Sequence, residues 1–116
     1  MTEDLKSKLL LLKSSVENLS KPYEEQLKIY PNYVDVFDEV ISDFYNAFQL
    51  LPILMENKTI SYLTVYELLR CHNLIELNLS TEQKNSDESF EQDKLWNLVR
   101  EYANNAVHLL CSDLIN

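Results

Sequence analysis

The chain contains no glycine in 116 residues. Average usage is about 7%, so zero is a constraint on what can be built. Glycine supplies the positive φ of the tight turns that close β-hairpins, and it lets a backbone approach a phosphate closely. Its absence pushes the fold toward helices. It also excludes the phosphate-binding loop, the dinucleotide fingerprint, the nucleophile elbow and the helix-loop-helix calcium loop, all of which need glycine at fixed positions.

Apolar periodicity fills in the helices. Leu5, Leu9, Leu12, Val16 and Leu19 alternate spacings of four and three, which predicts a helix over roughly 3–19. Ser20 and Pro22 interrupt it, and a helical turn through Tyr23 and Leu27 follows. Pro31 and Asn32 open a second main helix over roughly 33–51, with Val34, Phe37, Ile41, Phe44, Phe48 and Leu51 on one stripe. Pro52 ends or kinks it, with one further turn through Ile53, Leu54 and Met55. A third helix runs from about 60 or 65 to 78 on the stripe Val65, Leu68, His72, Ile75 and Leu79; Thr64 and Glu67 have capping-box spacing. Residues 80–93 hold one apolar side chain and read as a mobile loop. Ser89 and Gln92 then cap a last helix, about 90–114, which buries Leu95, Val99, Ala103, Ala106 and Leu110, with Trp96 and Leu114 beside them. The expected fold is one all-α domain over 1–116, an antiparallel four-helix or kinked five-helix bundle.

The 46% hydrophobic and 25% charged residues are globular composition. Acidic residues number 19 against 10 basic, a formal charge of −9. That field repels nucleic-acid phosphates and anionic lipid and favours a basic protein partner. Two cysteines far apart in sequence fit a reducing compartment. An acidic start and no apolar run near 20 residues leave the cytoplasm as the expected location.

Motifs for chemistry are missing. A di-iron bundle needs Glu three residues before His, but Leu69 precedes His72 and Asn105 precedes His108 at that spacing. Paired zinc ligands are absent too, so neither metal nor cofactor is expected. Cys71 and His72 are adjacent and point about 100° apart on a helix, which unsuits them as nucleophile and base. Arg100, Asn104 and His108 fall on one face expected to be solvated. An Arg and a His on a late helix resemble the helical ribonucleases of the HEPN (higher eukaryote and prokaryote nucleotide-binding) family. The seven residues between Arg100 and His108 exceed that family's motif spacing.

Charge gathers in one place. Residues 31–57 carry Asp35, Asp38, Glu39, Asp43 and Glu56 with no base, and seven acids against three bases follow from residue 80. Asp35, Asp38, Glu39 and Asp43 lie opposite the apolar stripe of the second main helix, with Ser42 and Asn46 among them, Tyr45 at the border, and Tyr30 and Tyr33 at the start of the helix. Carboxylates steer a basic partner and tyrosines anchor it. The expectation is a non-enzymatic protein-binding inhibitor, an immunity or antitoxin-like protein that covers a basic nucleic-acid-cleaving toxin. A helical adaptor, homodimeric through exposed residues such as Leu10, Leu11 and Leu98, is the alternative; a HEPN-like ribonuclease is the third.

Overall fold

A computed structural model describes residues 1–115. Its helices are α1 (Glu3–Ser20), α2 (Tyr23–Ile29), α3 (Val36–Phe48), α4 (Leu51–Glu56), α5 (Tyr62–Leu79), α6 (Asp87–Gln92) and α7 (Lys94–Ile115), with a 3-10 turn at Glu82–Lys84 and no strand among the described residues. The four long helices form an antiparallel bundle. Side chains that meet across each seam fix its direction. Thr64 meets Asp113 and Asn78 meets Leu95 between α5 and α7, while Phe48 meets His72 and Tyr45 meets Glu76 between α3 and α5.

Each helix starts and stops for local reasons. Thr2 Oγ1 accepts from the Leu5 N–H at 3.1 Å, and Glu3 and Asp4 oppose the positive end of the α1 dipole. Lys21, preceding proline, is extended at ψ 151° and ends the helix. Pro52 sits in the first turn of α4, where its missing N–H costs nothing. Lys58 closes α4 at φ 57°, with Lys58 N–H donating to Met55 O and Thr59 N–H to Leu54 O, the paired bonds of a left-handed helix end. Glycine usually fills that position; here lysine accepts a strain of about 1 kcal/mol.

Several sequence-based expectations shift. The second main helix begins at Val36, so Tyr33 lies ahead of it and Asp35 becomes its cap, accepting from Asp38 N–H at 3.3 Å. Helix α5 is capped by Ser61 rather than Thr64, because Ile60 packs into the core and pulls the start upstream. Thr64 turns inward and donates to the Asp113 carboxylate at 2.6 Å. His72 is half-buried, stacked on Phe48 at 4.5 Å, while Cys71 takes the fully buried position on that stripe.

The largest departure is at 80–93, read from its polarity as a loop. Its one apolar side chain, Phe90, is wholly buried against Phe37 and Trp96, with ring centroids at 4.8 and 5.2 Å. Ser86 caps α6 through Ser89 N–H. The Trp96 indole N–H donates to Lys84 O at 2.8 Å. Asp93 binds Lys84 at 2.7 Å and accepts from Leu95 N–H at 2.7 Å, so Asp93, not Ser89, starts the last helix.

Arg100 also departs from its expected solvated face. Only 8% exposed, its guanidinium donates to Lys21 O (3.2 Å), Asn97 Oδ1 (3.1 Å) and Phe90 O (2.6 Å), and it lies 4.5 Å from the centre of the Phe90 ring. One side chain thus ties the α1–α2 link and α6 to α7. Trp96 and Arg100 take the inward positions, and Leu95 is only half-buried.

Candidate functional site: an acidic band across α3 and α6

The predicted site residues are not equivalent. Asp38, Ser42 and Asn46 are exposed on α3, and Glu39 is partly so. Asp35 is exposed but committed to capping. Asp43 accepts the Tyr30 hydroxyl at 2.7 Å, which ties α3 to the end of α2. Tyr45 donates to Glu76 on α5 at 2.8 Å and braces the α3–α5 seam, so it is half-buried scaffold as much as surface. Tyr33, 89% exposed, stands free beyond the helix start.

The structure adds residues that spacing could not connect. Docking of Phe90 on Phe37 sets α6 beside the start of α3, and the acids of the two segments become neighbours. Tyr23 marks the junction: its hydroxyl donates to Asp87 at 2.7 Å. Burial, the Asp87 hydrogen bond and the charges of Asp87, Asp35 and Glu91 push its pKa up to about 12. At the other end, burial and the bond to Asp43, with a smaller push from Glu39, raise the Tyr30 pKa also. Burial and the Glu76 bond do the same for Tyr45. All three phenols therefore remain protonated donors near neutral pH. The acids form one band, Asp43 and Glu39 around Tyr30, then Asp35, Asp87 and Glu91 around Tyr23.

A groove of about 290 Å³ opens between α1 and α3 beside this band, lined by Leu11, Ser15, Asn18, Asp43, Asn46 and Leu50. The buried Ser15 hydroxyl has no hydrogen-bond partner among the described residues.

Elsewhere the chemistry is sparse. Among the described residues, no three His, Cys, Asp or Glu side chains gather closely enough to hold a metal ion. None of the described helices is long and apolar enough to cross a membrane. His108 is exposed on α7, but all three nitrogens of Arg100 are bonded inside the protein, so the two do not share a surface. Burial, with the charge of Glu67, pushes the Cys71 thiol up to about 12. The native protein should therefore react with one equivalent of a thiol reagent such as DTNB at the exposed Cys111, and with the second only on unfolding. Fast labelling of both thiols in the native state would contradict the buried Cys71.

Compared with known protein families, curated proteins and solved structures, the chain matches none.

Proposed function

We propose that this protein is a non-enzymatic inhibitor of the immunity or antitoxin kind, which covers a basic protein, such as a nucleic-acid-cleaving toxin, with its acidic band. The supporting observation is the continuity of carboxylates from α3 onto α6 around Tyr30 and Tyr23. A cationic cleft shaped for a phosphate backbone carries spaced positive charges, and a rigid row of carboxylates is complementary to it. The bonded phenols fix two of those carboxylates, so less side-chain entropy is lost on docking. Tyr33 supplies an exposed aromatic at the edge. Cytoplasmic residence would suit an inhibitor that meets its toxin inside the producing cell.

The test must avoid the acids that hold the fold. Asp38, Glu39 and Glu91, with Glu88 exposed next to Asp87 on α6, make no side-chain hydrogen bond among the described residues, so they can be neutralised together as Asp38→Asn, Glu39→Gln, Glu88→Gln and Glu91→Gln. Affinity capture from lysate with the native protein identifies the partner by mass spectrometry. Binding by the fourfold variant should then be at least about tenfold weaker at low salt, with a shallower salt dependence. Unchanged affinity and salt slope would sink the proposal.

A further inference from the structure

Helix α5 has a second apolar face. Val65, Leu68, Cys71 and Ile75 fill the core side. Tyr62, Tyr66, Leu69 and Leu77 repeat at four, three and eight residues on the outside and stand 81%, 53%, 44% and 58% exposed. Asn73 fills the gap in that row, and Leu63 widens it. A helix that is apolar on both sides is normally covered on both. We propose that two copies of this chain associate through the outward face of α5.

Charge selects a second copy over the basic partner. The two acids of α5 are already engaged: Glu67 with Arg70 at 3.1 Å, and Glu76 with the Tyr45 hydroxyl. A basic protein finds its carboxylates on α3 and α6, whereas the α5 row presents none. A neutral, apolar helix face is what matches it, and a copy of the same row supplies one. With two α5 helices antiparallel, Tyr62 of one copy lies opposite Leu77 of the other, Tyr66 opposite Asn73, and the two Leu69 side chains meet near the two-fold axis. Such self-complementarity is what an isologous contact requires.

Arg70 bridges the flank of the row. The Arg70 guanidinium lies 3.8 Å from the Tyr102 ring centre and 5.3 Å from that of Tyr66, and its charge is balanced by Glu67. Beside it, Arg70, Leu74, Leu77, Leu98 and Tyr102 line a groove of about 320 Å³ between α5 and α7, into which side chains of a second copy can seat. A whole tyrosine buries roughly 150–250 Å². The row therefore offers on the order of 500 Å² per copy, and two copies bury about 1,000 Å², the lower bound for a specific interface. The dimer is accordingly weak and concentration-dependent.

Sedimentation velocity on the full chain tests this. The mass should rise from 13.7 kDa toward twice that value as concentration enters the millimolar range. Leu69→Glu combined with Leu77→Glu, both at exposed positions, should weaken association at least about tenfold while leaving the helical circular dichroism intact. In a Cys111→Ser background, Leu69→Cys should give a disulfide-linked dimer under mild oxidation, and Tyr33→Cys should not. A chain that stays monomeric throughout, or a dimer unaffected by the two glutamates, overturns the proposal.

Discussion

Arg100→Ala should lower the free energy of unfolding by about 3–5 kcal/mol, against a total of roughly 5–15 kcal/mol for a domain of this kind. The guanidinium satisfies two main-chain carbonyls, Lys21 O and Phe90 O, and the Asn97 amide oxygen. Removing it orphans the Phe90 carbonyl, whose bond is the buried one of the three, and it deletes the stack on Phe90. Burial lowers the Arg100 pKa, but a guanidinium remains charged at any pH where the fold is stable. Arg100→Lys should recover only part of the loss, since an ammonium cannot reproduce the planar fork that reaches three acceptors. Urea unfolding followed by the single tryptophan, Trp96, reads the change directly. A loss below about 1 kcal/mol would show that the three bonds only offset the cost of burying the charge.

Phe90→Ala should cost about 3–5 kcal/mol, the usual range for emptying a buried aromatic site. Phe90 touches Phe37, Trp96, Tyr23 and the Arg100 guanidinium, so its loss opens a void at the meeting point of α2, α3, α6 and α7. The effect should be local as well as global. Amide exchange across 82–92 should accelerate more than exchange in α1 or α5, because no other wholly buried side chain holds that segment down. The Arg100→Ala and Phe90→Ala changes should be non-additive by at least about 0.5 kcal/mol, since each removes the other's partner. Equal protection of 82–92 in the variant and the native protein would mean that the hydrogen bonds to Lys84, Asp87 and Phe90 O hold the segment without the ring.

Those two side chains mark the limit of what the sequence made legible. Helices with a repeated stripe, such as Leu9, Leu12, Val16 and Leu19 on α1, were readable because five turns of periodicity outweigh any local exception. Phe90 stands alone among polar residues, and one residue has no period. Its signal was its solitude, a large aromatic with no local reason to be there. Arg100 misled for the opposite reason: it sits at a helical spacing shared with Asn104 and His108, and only the carbonyls of Lys21 and Phe90, remote in sequence, draw it inward. At the start of α5, Ser61 and Thr64 have equal chemistry as caps, and the packing of Ile60 decides between them. The acidic face of α3 was legible as a wheel pattern. Its continuation onto Asp87 and Glu91 was not, because that depends on where α6 docks. The apolar exterior of α5 was not legible for a related reason: Tyr62, Tyr66, Leu69 and Leu77 stand out as a second face only once the other side is seen to hold the core.

The long pairing of α1 with α7 has a consequence for how the chain acquires its shape as it is made. The first helix leaves the ribosome with its apolar seam complete, yet the 73 residues from 21 to 93 must follow before the seam's main cover begins to appear. At ordinary rates of synthesis that delay is on the order of seconds. During it, Leu9, Leu12, Val16 and Leu19 have only α2, α3 and α4 to shelter against, and α5 also waits for its main cover. Completion of the core waits on the last helix, since α7 packs on both α1 and α5 and carries the Arg100 side chain that reaches back to Lys21.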